Sequence, residues 1–136
     1  MIGIVVVSHS RALADAAVEL SSELFGAGTP PTIVVASGTA DGGFGTDATA
    51  VSAAIEAADS GDGVLVLMDL GSSVMSAEMA LEFLDPDLAS RVRLCGGPLV
   101  EGLVIAGVTA STGASLDKCD SEARRALEAK GKHLTS

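Results

Sequence analysis

Hydrophobic positions along this chain fall into two alternating kinds of run. Residues 2–7, 32–36 and 64–68 are short, continuous and rich in Val, Ile and Leu. Runs with no polar face are the pattern of strands buried on both sides in a parallel sheet. A weaker run at 91–95, flanked by charge, predicts a fourth strand at a sheet edge.

The segments between them carry helical spacing. Leu13, Ala16, Ala17, Leu20 and Leu24 predict a helix over 11–25, ended by the Gly- and Pro-containing segment 26–31. Thr46 or Asp47 can cap a helix running to about 58, with Val51, Ile55 and Ala58 facing inward. The next helix, to about 84, is apolar around much of its circumference, and Val74, Met75, Ala77, Met79, Leu81 and Phe83 are expected in the core. Asp85-Pro86-Asp87 is expected as a stop. Residues 99–112 are apolar nearly all round, which predicts a helix that is wholly buried, in part by another subunit. From Ser115, the residues Leu116, Cys119, Ala123, Ala126 and Leu127 predict a surface helix that frays over 130–136, with no role for His133.

Alternating strands and helices build an α/β domain with helices on both faces of a parallel sheet, here one domain over 1–136. If strand 1 lies between strands 2 and 3, the doubly wound order is 2-1-3-4. Ligands of such folds sit at the carboxyl ends of the strands where the order reverses. Here those ends are Ser8-His9 and Asp69, bordered by the glycine-rich loop 37–45.

Composition narrows the options. Aromatics make up only 2% of the chain, so the core must be aliphatic. Net charge is −10 without a basic cluster before the last helix, which argues against binding nucleic acid through its phosphates. No apolar stretch approaches a membrane span and the N-terminus lacks the basic region of a secretory signal, so a cytoplasmic protein is expected. Cys95 and Cys119 are too few for a disulfide framework and read as small core residues. Two distant histidines make a metal site improbable, and no tightly bound cofactor is expected.

His9 is the candidate nucleophile, because neutral imidazole attacks phosphorus and the product is reactive enough to pass its group on. A solvated turn histidine is the plainer alternative. Asp69 could accept from one ring nitrogen, fix the tautomer and leave the other lone pair free; as an N-cap it would do nothing catalytic. A free imidazole of ordinary pKa ~6.5 is mostly neutral at pH 7, and raising such a pKa by about one unit costs under ~1 kcal/mol. Helix starts after Ser10 and Gly71 would aim N–H groups at the crevice. Gly38, Thr39 and Gly71 let backbone approach closely, while Ser72 and Ser73 offer hydroxyls or serve as caps. No G-x-x-x-x-G-K-[ST] or G-x-S-x-G motif exists. The G-x-G-x-x-A match at 43–48 follows strand 2 through a long loop, unlike a dinucleotide site.

Gly3-Ile4-Val5-Val6-Val7-Ser8-His9-Ser10, Gly45-Thr46-Asp47, Asp69-Leu70-Gly71-Ser72 and Pro98-Leu99-Val100-Glu101-Gly102 together resemble the DhaM family. These are phosphotransfer subunits of phosphoenolpyruvate-dependent dihydroxyacetone kinases, with a domain similar to mannose-type EIIA. The resemblance implies that His9 is phosphorylated by the phosphocarrier HPr and that Asp69 is its partner. It places Gly38, Thr39, Gly71 and Ser72 along the phosphate, where Ser10, at the helix start after strand 1, is also expected. It further implies transfer to ADP on the DhaL subunit, substrate held by DhaK, and a homodimer. Some members continue into fused HPr and Enzyme I-like domains, whereas this chain is expected to use a separate HPr. A sugar-transport EIIA component and a phosphorylation-sensing module are the alternatives.

Overall fold

The computed structural model describes residues 1–135. Its elements run β1 (Gly3–Ser8), α1 (Arg11–Leu24), β2 (Ile33–Ser37), α2 (Ala48–Ala58), β3 (Val64–Met68), α3 (Gly71–Glu82), α4 (Pro86–Ala89), β4 (Val92–Cys95), α5 (Leu99–Ser111), α6 (Leu116–Arg124) and α7 (Glu128–Thr135). The strands pair in parallel in the order β2-β1-β3-β4, as the sequence predicts. Strand alternation then divides the core in two. Val5, Val7, Val64, Val66 and Met68 pack with α2 and α3, where Val51, Ile55 and Ala58 point inward. Ile4, Val6, Leu65 and Leu67 pack on the other face with Ala14, Leu103, Ala106, Cys119 and Ala123. Both cysteines are fully buried there.

Gly3 is the one interruption of β1, and packing demands it. A Cβ there would lie 2.1 Å from the Ala58 carbonyl oxygen, so α2 could not end against the strand. The charges around β4 act as struts. The Arg91 guanidinium donates to both Asp59 carboxylate oxygens at 3.1 and 2.7 Å, joining the strand to the end of α2. Arg93 pairs with Asp117 and Asp120 of α6.

Several expectations are corrected. In α1, the small residues Ala14, Ala17 and Ser21 face the sheet, and Leu13, Leu20 and Leu24 are exposed. Small residues let the helix lie close, which turns the leucines outward. In α3, Ser73, Ala77 and Ala80 are buried for the same reason, whereas Met75, Met79 and Phe83 lie on the surface. Within the single chain, helix α5 is buried along Gly102, Leu103, Ala106, Gly107 and Ala110, and Val100, Ile105 and Val108 form the exposed edge left for the expected second subunit. Asp85-Pro86-Asp87 starts a helix instead of stopping one: Asp85 caps it and Pro86 occupies its first position. The last predicted helix is two, α6 and α7, broken at 125–127. Residues 130–135, His133 among them, are helical, and Ser136 lies outside the described residues.

Candidate active site

Parallel pairing of Val7 with Met68 brings the next residues, Ser8 and Asp69, to the same end of neighbouring strands. The Asp69 side chain is 8% exposed and that of His9 25%. Asp69 Oδ1 accepts from His9 Nδ1 at 2.9 Å and from the Leu70 N–H at 2.6 Å. Oδ2 accepts from the His9 backbone N–H and the Ser8 hydroxyl, each at 2.9 Å. Burial alone would raise the carboxyl pKa, but these four donors outweigh it and hold the group at about 2. Asp69 is therefore a carboxylate near neutral pH, and His9 Nδ1 carries a hydrogen toward it.

The other ring nitrogen follows from this. His9 Nε2 lies 2.5 Å from the Ser72 hydroxyl. With the proton on Nδ1, Nε2 holds a lone pair and Ser72 donates to it. Ser72 sits in the first turn of α3, whose cap residue Leu70 supplies no side-chain acceptor. The positive end of that helix thus opens beside a nucleophilic nitrogen. Gly71 begins the helix, and the space around its Cα is open.

The remaining candidates are placed as follows. Ser10 caps α1, its hydroxyl accepting from the Leu13 N–H at 3.2 Å. Gly38 turns with φ 78° and donates to the Ser8 carbonyl at 3.3 Å. Thr39 faces its own loop: its N–H reaches the Gly43 carbonyl at 3.1 Å, and its hydroxyl bonds the Asp41 carboxylate. Sequence reasoning missed three contacts. Ser8 is fully buried and bound to Asp69. The Gly45 N–H holds the His9 carbonyl at 2.9 Å. Thr46 Oγ1 lies 2.6 Å from Ser76 Oγ, fastening the glycine-rich loop to α3. A buried serine ending an otherwise aliphatic strand was the available signal for the first. Among the described residues, no cluster of three or more His, Cys, Asp or Glu could hold a metal, and no helix is long and apolar enough to cross a membrane.

Fold and site together define an open, doubly wound α/β domain whose switch point presents one carboxylate-tied histidine. The family described as EIIA-man, PTS system fructose IIA component, matches residues 3–119. The chain belongs to that family, on its DhaM branch. It is 45% identical over 136 residues to the PEP-dependent dihydroxyacetone kinase phosphoryl donor subunit DhaM of Escherichia coli (strain K12), a match covering 98% of this chain and 29% of that protein. The corresponding subunit of Providencia stuartii (strain MRSN 2154) is 44% identical, with 98% and 28% covered. The chain thus spans less than a third of those relatives. The phosphoryl donor subunit DhaM of dihydroxyacetone kinase 2 from Listeria innocua is 36% identical over 108 residues, covering 79% of this chain and 85% of that protein. A crystal structure of a protein of unknown function superposes with a TM-score of 0.76 at 32% identity, covering 90% of this chain and 92% of that one.

Proposed function

We propose that the chain is a phosphohistidine carrier in which His9 Nε2 receives a phosphoryl group and passes it on. The observation that carries this reading is the division of the ring, with Nδ1 tied to a buried carboxylate and Nε2 facing a hydroxyl at an uncapped helix start. In the first step the Nε2 lone pair attacks phosphorus. The donor's P–N bond breaks and its electron pair returns to the donor imidazole. Ser72 leaves Nε2 and turns its hydroxyl to the phosphoryl oxygens, where the start of α3 at Gly71 adds N–H donors. Asp69 offsets the positive charge that develops on the ring. Ser10 at the start of α1, and Gly38 and Thr39 of the glycine-rich loop, are the further residues proposed to border the phosphoryl group.

HPr, charged from phosphoenolpyruvate through Enzyme I, is the proposed donor. The proposed acceptor is ADP bound on DhaL: a terminal phosphate oxygen attacks, the Nε2–P bond breaks, and ATP forms to phosphorylate dihydroxyacetone held by DhaK. The named relatives support this kinase over sugar transport. The exposed apolar edge of α5, with Leu20 and Leu24 of α1 beside it, suits a second copy of the chain in a homodimer.

Intact mass after incubation with phosphoenolpyruvate, Enzyme I and HPr tests the carrier role. One acid-labile phosphoryl group is expected on the wild type and none on His9→Ala. Discharge by DhaL with ADP is then expected. Discharge only to an EIIB protein would favour sugar transport, and no mass change would leave a sensing module.

A further inference from the structure

We propose that Ser8 is a positioning residue for His9, acting through Asp69 by fixing the rotation of its carboxylate. The inference rests on the carrier reading for its consequence but on geometry for its substance. Ser8 is fully buried at the end of β1, where the preceding residues Ile4 to Val7 are all aliphatic. A strand end that needed only packing would carry another Val or Ala.

The bonding of Ser8 Oγ leaves its single hydrogen one good destination. Oγ accepts from the Ser10 N–H at 3.1 Å, which orients the hydroxyl. Two acceptors lie within reach, Asp69 Oδ2 at 2.9 Å and the Ser10 carbonyl at 3.1 Å. The carbonyl already accepts from the Ala14 N–H at 3.1 Å, whereas the carboxylate is charged and nearer. The hydrogen therefore goes to Asp69.

The other donors cannot replace it. Leu70 follows Asp69 in the chain, so its N–H sets Oδ1 relative to the end of β3 and not relative to β1, and the His9 ring is the group to be oriented. Only Ser8 Oγ and the His9 N–H tie the carboxylate to β1, and both act on Oδ2. Without the hydroxyl, Leu70 still holds Oδ1 from the β3 side, but a single bond, from the His9 N–H, is left to set the carboxylate against β1, and with it the aim of His9 Nδ1.

The test uses Ser8→Ala and Ser8→Thr beside the wild type. The His9 tautomer is read by imidazole nitrogen NMR, which needs no phosphoryl donor. Phosphorylation is then timed with phosphoramidate, a small donor that needs no docking surface. The wild type should hold a single tautomer with the proton on Nδ1. Ser8→Ala should mix the two tautomers and slow phosphorylation by about ten- to a hundredfold, the scale of one charge-assisted hydrogen bond. Ser8→Thr, which keeps the hydroxyl, should restore both. Urea unfolding identifies variants that fold. A folded Ser8→Ala with the wild-type tautomer and rate overturns the proposal. So does a folded Ser8→Thr that behaves like Ser8→Ala. Failure of the wild type to take phosphate would instead sink the carrier reading, leaving the tautomer to decide the role of Ser8.

Discussion

Asp69 holds His9 twice, taking the ring N–H on one carboxylate oxygen and the backbone N–H of the same residue on the other. Ring and main chain are thereby fixed to a single planar group. The imidazole cannot flip without breaking the ring contact, and the residue cannot shift along the strand without breaking the other. Replacing Asp69 with Asn keeps the shape but puts a donor on one side of the amide. An amide N–H facing Nδ1 would favour the tautomer with its proton on Nε2, the nitrogen proposed to take the phosphoryl group. Asp69→Asn is expected to slow phosphorylation of His9 by at least about a hundredfold. Single-turnover transfer from phosphorylated HPr measures this.

The same carboxylate gives a stability profile. Its folded-state pKa of about 2 lies below the ordinary 3.8, so its contribution is complete above the ordinary value and is lost as pH falls toward 2. A shift of this size corresponds to roughly 2 kcal/mol. Urea midpoints compared between wild type and Asp69→Asn should show a wild-type advantage at pH 6 that shrinks between about pH 4 and pH 2. An advantage independent of pH would contradict the assignment.

Ser72 should matter less for reaching the transition state than for holding the product. Ser72→Ala leaves the Asp69 contacts in place and removes one neutral hydroxyl from Nε2. Phosphorylation is expected to slow by about tenfold or less, and spontaneous hydrolysis of the phosphorylated protein to speed up. Intact-mass time courses measure both rates.

Two glycines separate fold from chemistry. Gly3→Ala drives a methyl group into the end of α2 and is expected to destabilise by about 3 kcal/mol, measured by urea unfolding. Gly71→Ala meets no atom within 4 Å and should leave stability unchanged. Any loss of phosphoryl acceptance in Gly71→Ala would then report crowding at the start of α3.

Burial pushes the Cys95 thiol up to about 11, and its side chain is fully shielded. Thiol reagents should therefore modify Cys95 only through opening of the α5–α6 layer that covers it. Modification at pH 8 should track unfolding across a urea series. Rapid labelling without denaturant would contradict the buried placement.

The sheet was legible in the sequence because buried parallel strands leave unbroken aliphatic runs, as at residues 64–68. The pairing of His9 with Asp69 followed from strand order, since each residue directly follows one of the two strands that meet at the switch point. Helix faces were less legible. The periodicity of α1 and α3 marks large side chains, but Ala14, Ala17, Ala77 and Ala80 make the close contacts, so Leu20 and Met75 end up outside. Helix α4 was hidden because Pro86 signals both a stop and a first helical turn. Ser8 was hidden because its bond depends on a residue 61 positions away.

That separation has a consequence for how the chain comes into being. His9 is made before its partner, which arrives only after α1, β2 and α2 and meets it only when β3 docks beside β1. A nascent or partly assembled chain therefore holds an unaimed histidine. On the proposed carrier role, competence for phosphate and completion of the sheet arise in the same event, so the rate at which refolding protein becomes chargeable would be a clock for β1–β3 closure.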